Sequence, residues 1–339
     1  MLFSVSTIKD NVGNVEAFVQ RNLAHGIDHM FVFLDDSQAE VTQYLQGQPA
    51  VTCVEAYGAW WAGARPTRLN RRQNTNADVV KGLLAQLEGD HWLFHIDGDE
   101  IISVDRERLE GLPTDIRVVH LNPLEAVSEE QPAARPTQFK RLLTEQELHL
   151  LKLLGIVNEP SNDVYFHGHV GGKAGFRPAL DLYAGIHAPL DAQREPIDGF
   201  TADWLEQLHL ESVSLMEFQR KWVALVESGP RPSIRSPRRT TYCAVEALMN
   251  LGVSGDVADR CLRELYLRTT QDPVRQLHEL KLLREMDPDD GTYEPRPVPA
   301  SDLGACREAL RFLRDEPKAV FRLGSAREVQ DALDRAWRP

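Results

Sequence analysis

The chain has 339 residues, with 38 lysines and arginines against 51 aspartates and glutamates for a net charge of −13; that is enough for one large or two ordinary domains with a substantial core. The acidic balance excludes a general nucleic-acid binder, whose surface must neutralise phosphates, and leaves any anionic substrate to a local cluster or a metal. Cys53, Cys243, Cys261 and Cys306 are widely spaced without a C-x-x-C pair, and no leader-like start or run of about eighteen apolar residues is present, so the expectation is a cytoplasmic protein without a transmembrane segment.

Leu2 to Ile8 is a short β-rich run, and Val15, Phe18, Val19 and Leu23 fall at helical spacing before a stop at Gly26. Met30 to Leu34 reads as a second buried strand ending in Asp35-Asp36-Ser37, a helix from Ala39 to Leu45 closes at Gly47, and Val51 to Ala56 is a third strand. This βαβαβ rhythm predicts a mainly parallel sheet with helices on both faces. A long helix from Leu69 to Leu87 then feeds the strand Trp92 to Ile96, which runs directly into Asp97-Gly98-Asp99-Glu100.

Asp97 and Asp99, at i and i+2 of an extended backbone, point the same way, and side-chain-free Gly98 would let a ligand approach. Acids after a strand also cap helices or sit solvated at turns. Here they end a buried strand of an open α/β sheet, which is where such sheets bind ligands, and the expectation is a divalent cation that handles a diphosphate.

A strand at Ile116 to Leu121 follows, and Thr144 with Glu147 forms a capping box before a Leu-rich helix ending near Leu154. Val164 to Val170, Lys173 to Arg177 and Leu182 to His187 read as short antiparallel strands, with His167 and His169 on one strand face as surface or packing residues. Ser214 with Glu217 opens a helix that stops at Gly229-Pro230. Beyond it the pattern is helical, at Thr240 to Leu251, Asp256 to Leu267, Pro273 to Met286 (with Asp272-Pro273 as cap and first residue), Asp302 to Arg314 and Ser325 to Trp337. The expected division is a domain over 1–229 and an α-helical extension over 230–339.

The ordered series Ile8-Lys9-Asp10-Asn11, Gly26-Ile27-Asp28-His29, Asp36-Ser37, Gln73-Asn74, Ile96-Asp97-Gly98-Asp99-Glu100, Gly172-Lys173, Arg177-Pro178, Ile186-His187 and His209 through Lys221 resembles GT-A-fold glycosyltransferases of the family 2 and family 92 kind. The resemblance covers about residues 1–225. It departs from the family's pattern at Asp10-Asn11 and in the acid missing after Asp36-Ser37. It implies a GT-A-like fold and transfer of a sugar from a nucleotide-diphosphate sugar to an acceptor hydroxyl of a glycan or lipid-linked molecule, with Mn²⁺ or Mg²⁺, in glycan biosynthesis.

In that picture Asp99, ahead of Asp97, holds the metal, joined by His209 or His187, while Asp36, Gln73, Asn74, Lys173 and Arg177 meet the nucleotide sugar. No residue declares itself as general base among Glu159, Asp163 and Asp181. Trp60 and Trp61 could stack on a sugar or fill a core. Arg231, Arg235, Arg238 and Arg239 form either a solvated linker or a basic patch for anionic lipid at the membrane's inner face. Two other functions fit the acid pair: a non-catalytic nucleotide or glycan-binding module, and a D-x-D phosphohydrolase with Asp97 as nucleophile, against which Ile101 stands where such enzymes have Thr or Val.

Overall fold

Short runs rich in apolar residues form most of the strands and amphipathic stretches become helices in the computed structural model, which describes residues 1–36, 38–227 and 236–337. In order they are β1 (Leu2–Ile8), α1 (Val12–Ala24), β2 (His29–Leu34), α2 (Ala39–Gln46), β3 (Val51–Glu55), α3 (Leu69–Leu84), β4 (Trp92–His95), β5 (Glu100–Val104), α4 (Arg106–Glu110), β6 (Val118–Ala126) and β7 (Gln138–Lys140). Then follow α5 (Glu145–Leu153), α6 (Asn162–Tyr165), β8 (Lys173–Phe176), β9 (Leu205–His209), α7 (Leu215–Glu227), α8 (Ser236–Asn250), α9 (Gly255–Thr269) and α10 (Val274–Glu279). The last elements are β10 (Leu283–Glu285), α11 (Ala300–Leu313), α12 (Ala319–Leu323) and α13 (Ala326–Ala336).

The chain is α/β, with a mixed, mostly parallel sheet flanked by helices, and divides into two compact units. The first comprises Met1–Asn122, Gly172–Gln207 and Asp289–Pro339. Its strands β3, β2, β1 and β4 are parallel neighbours in that order, with Val5 beside both Phe31 and His95. Antiparallel β8 continues the sheet beyond β4 and pairs with the first half of β6 through Leu121 opposite Lys173. Alternate residues of each strand face opposite sides, and β1, β2 and β4 are buried on both, Ser4 and Ser6 included. Phe3, Val5, Phe31 and Phe33 pack with Val79, Val80 and Leu83 of α3, while Leu2, Ile8, Val32 and Leu34 pack with Val15, Phe18 and Val19 of α1.

Helices α11, α12 and α13 belong to this unit. α12 and α13 lie on α3, where Gly82 leaves room for Leu333, whose nearest atom stands 3.1 Å from where a β-carbon would be. Helices α7, α8 and α9 pack together in the second unit, Pro123–Gly171 with Leu208–Pro288. The helical region is therefore not one extension. The boundary expected at 229/230 lies outside the described residues, as do Arg231 and Arg235.

In the second unit Glu125 and Ala126 of β6 pair with Lys140 and Phe139 of β7, which also pairs with β10. Helix α5 starts at the expected capping box, with both Thr144 and Glu147 bonds made. Apolar cores form around Leu148, Leu151 and Leu277, and around Phe218, Trp222 and Tyr266.

Several sequence expectations need correction. The stretch Val164 to Val170 is not a strand: the Ser161 hydroxyl accepts the Asp163 N–H and starts α6, and the following backbone N–H groups of His167 and Gly168 go to Glu125. The helix expected from Pro273 to Met286 ends at Glu279, because Lys281 turns left-handed at φ 58° and the chain continues as β10. Asp272 does not cap α10; its carboxylate is spent on Ser128, Lys140 and His167. Strands β5 and β9 pair with each other although neither run was read as a strand.

Candidate functional site

In the first unit, β1 has β2 on one side and β4 on the other, so the order of connection reverses between β1 and β4. At such a reversal the loops at the carboxyl ends diverge and leave a crevice. Asp97-Gly98-Asp99 lies there, between the end of β4 and the start of β5, held by Ile96 N–H on the Val5 carbonyl (3.1 Å) and Glu100 N–H on the Asp97 carbonyl (3.2 Å). At Gly98 the space is tight: a β-carbon there would stand 3.0 Å from the Ile8 side chain, which would have to shift by a few tenths of an ångström to admit it.

Both oxygens of Asp97 have partners within the first unit. Its Oδ1 accepts the Gln73 amide at 2.5 Å and its Oδ2 accepts the Lys173 ammonium at 2.6 Å. Lys173 also stands 3.3 Å from Glu100, whose Oε2 accepts the Asp97 N–H at 2.7 Å and whose Oε1 accepts the Gln207 amide at 2.7 Å. Burial opposes the Lys173 ammonium, yet Asp97 and Glu100 override it and raise its pKa. Burial and the neighbouring Asp99 push Asp97 the other way, but Lys173 wins and keeps its carboxyl below the ordinary range. Beside them His95 is pushed down to about 4 by burial and then by Lys173, so its ring is neutral, with Nδ1 2.8 Å from the Gly185 carbonyl.

The residues expected on the nucleotide sugar separate. Gln73 and Lys173 are both on Asp97. Asn74 lies on the same first turns of α3, with its buried Oδ1 unpartnered. Asp36 is exposed at the end of β2 and pairs with Lys9 at 2.9 Å. The buried acid there is Asp35, gripped by Arg72 at 2.7 and 2.6 Å and by Arg65 at 3.0 Å. Arg177 sits at the opposite end of β4, stacked 4.6 Å from the Trp92 ring and bonded to Asp90 and the Ile116 carbonyl; it is a structural anchor, not a phosphate contact. His187 places Nδ1 2.9 Å from the Gly172 carbonyl, supporting the turn into Lys173. Trp60 and Trp61 are core residues, their indoles donating to Asn76 (3.0 Å) and the Ala56 carbonyl (2.7 Å).

In the second unit, His209 ends β9 with Nε2 3.4 Å from Glu211 and Nδ1 4.0 Å from Glu125. Glu211 also takes Lys221 at 2.8 Å and Arg238 at 3.0 Å. Arg238, lying 5.2 Å from the Trp222 ring centroid, is thus part of this cluster instead of a lipid-facing patch. Behind it, fully buried Lys140 bridges Glu125 (2.8 Å) and Asp272 (3.1 Å), and His167 donates to Asp272 at 3.0 Å. Burial works against Asp272, but Lys140 and His167 pull its pKa down to about 2. His169 is exposed, its Nδ1 accepting the Gly171 N–H at 2.7 Å.

Among the described residues, the ligand-type atoms suited to a metal ion are those of Asp99 in the first unit and of His209 with Glu211 in the second. These are carboxylates and an imidazole, donors that divalent cations accept. Sequence reading missed Glu211, which stands two residues after His209 and so carries the alternation of β9 onward, and Glu100, hidden as the third acid of the D-x-D run. Of the acids considered for the base, Glu159 and Asp163 are exposed in the second unit, and Asp181 lines a cavity of about 240 Å³ with Asp78 and Lys81 in the first. No family model and no curated protein matches this chain.

Proposed function

We propose that the chain is a GT-A-type glycosyltransferase that moves a sugar from a nucleotide-diphosphate sugar to an acceptor hydroxyl of a glycan or lipid-linked molecule. The observation that carries this reading is the D-x-D turn at the carboxyl end of β4, beside the reversal point of a parallel α/β sheet. In the transfer, the bond from the anomeric carbon to the phosphate oxygen breaks, a bond to the acceptor oxygen forms, and the acceptor proton passes to a base. Asp99 would hold a divalent metal; when bound, Mn²⁺ or Mg²⁺ offsets the charge gathering on the departing diphosphate.

Gln73 and Lys173 keep Asp97 ionised and fixed in orientation, while its side chain remains 31% exposed toward solvent. A phosphohydrolase would need an Asp97 oxygen for attack, and both already accept strong hydrogen bonds, which speaks against it. The binding-module alternative draws support from the internal ammonium already seated at the acid pair. No helix of the described residues is long and apolar enough to cross a membrane; a cytoplasmic location is part of the same proposal.

The test is a thermal-shift panel of nucleotide sugars with and without Mn²⁺, followed by assay of released nucleoside diphosphate. A ligand at about a hundred times its Kd stabilises by about 2.7 kcal/mol, so the cognate donor with Mn²⁺ should raise Tm by about 5 °C or more. Asp99→Ala should abolish the metal-dependent part. A donor shift without turnover would favour the binding module, and no Mn²⁺-dependent shift with any nucleotide sugar would overturn both.

A further inference from the structure

Three carboxylates, Asp97, Asp99 and Glu100, crowd one turn, yet a lysine with no exposed surface is driven in among them. Removing an ammonium from water costs several kcal/mol, about what only close carboxylates can return. Lys173 has two, at 2.6 and 3.3 Å. Its place is fixed by the backbone: Lys173 pairs with Leu121 in the sheet, and Gly172 before it is left-handed at φ 58°, pressed so close to the Leu121 carbonyl that no side chain fits. The pairing and the tight turn before it thus fix where the Lys173 side chain leaves the sheet.

We infer that Lys173 is a built-in cation that withdraws Asp97 and Glu100 from the ligand set, so that a divalent ion arriving at this turn meets the carboxylate of Asp99 and not three carboxylates. This rests on the metal reading given above and adds that Lys173 sets how many carboxylates the ion meets. The physical consequence concerns residual charge. A divalent ion held by several carboxylates is neutralised by them, whereas one held by fewer keeps positive charge to offer a phosphate oxygen. Lys173, Gln73 and Gln207 together give each of the four oxygens of Asp97 and Glu100 a partner, and that arrangement is set by the protein before any ligand arrives.

The experiment is a Mn²⁺ titration of the full chain, with free Mn²⁺ read by electron paramagnetic resonance and folding checked by circular dichroism. Lys173→Met frees two carboxylates and should tighten Mn²⁺ binding by about tenfold or more, the scale on which groups behind the ligands set metal affinity. Adding Asp97→Asn to Lys173→Met should undo most of that gain. Asp97→Asn alone, which removes a carboxylate already neutralised, should leave affinity within about threefold of wild type, and this variant keeps the test decisive if Lys173→Met does not fold. A folded Lys173→Met protein with unchanged or weaker affinity overturns the inference, as does a loss of about tenfold or more in Asp97→Asn. Absence of Mn²⁺ binding in the wild-type chain would count against the metal reading alone; Lys173→Met would then have to gain binding, and its failure to do so overturns the built-in cation as well.

Discussion

At the scale of single residues, Asp78 shows how a buried acid can be kept at a cost. It lies on the core-facing side of α3, 4% exposed, with one oxygen accepting the Ala184 N–H at 2.6 Å and the other the Arg322 guanidinium at 3.2 Å. Burial dominates those partners and raises its pKa from 3.8 to about 6. A carboxyl whose folded pKa exceeds its unfolded one contributes stability that is complete below the unfolded value and is lost as pH rises through the folded value. For a shift of this size the loss between pH 4 and pH 7 is about 2.4 kcal/mol. Urea unfolding of wild type and Asp78→Asn at both pH values measures it: the advantage of wild type over the variant should shrink by about that amount on going to pH 7, and an equal difference at both pH values would refute the assignment.

At the scale of elements, the turn into β8 concentrates several constraints at Gly172. The left-handed φ of 58° strains any side chain, a β-carbon would overlap the Leu121 carbonyl, and the Gly172 carbonyl faces His187 at 2.9 Å. Gly172→Ala should therefore destabilise by about 2 kcal/mol or more, read as a lower urea midpoint with an unchanged slope; a midpoint within error of wild type would show that the turn adapts. The sequence displayed Lys173 at the start of a short strand directly after Gly172, and that much was legible. The target of Lys173 was not, because strand alternation gives the face on which a side chain emerges but not the charge waiting there. The same limit explains Asp36 and Asp35: both follow β2, and only the packing of Arg72 onto one of them tells which is buried. Strand β5 was obscured by the acids before it, and the break at Lys281 carried no signal, since a non-glycine left-handed residue looks like any other in sequence.

At the scale of the whole molecule, the parallel rhythm of β1 to β4 was readable from periodicity, whereas the allegiance of each helix was not. An amphipathic pattern says that one face is covered without naming the cover. Ala300–Ala336 reads like the rest of a helical tail, but Leu310, Leu313, Phe321 and Leu333 are buried in the same core as Phe3, Phe31 and Val80. At roughly 2 kcal/mol for each large side chain, these four contribute about 8 kcal/mol, comparable to the total stability of an ordinary domain, about 5–15 kcal/mol. A chain ending at Pro299 should accordingly lose cooperative unfolding of the first unit, seen as insoluble product or as a circular dichroism melt without a sharp transition, and as rapid cleavage within α3 under limited proteolysis. An accessory tail would behave oppositely: the shortened chain would stay soluble and melt near the wild-type temperature. That result would mean α3 finds its cover without α11 to α13, and the first unit would have to be redrawn without Asp289–Pro339.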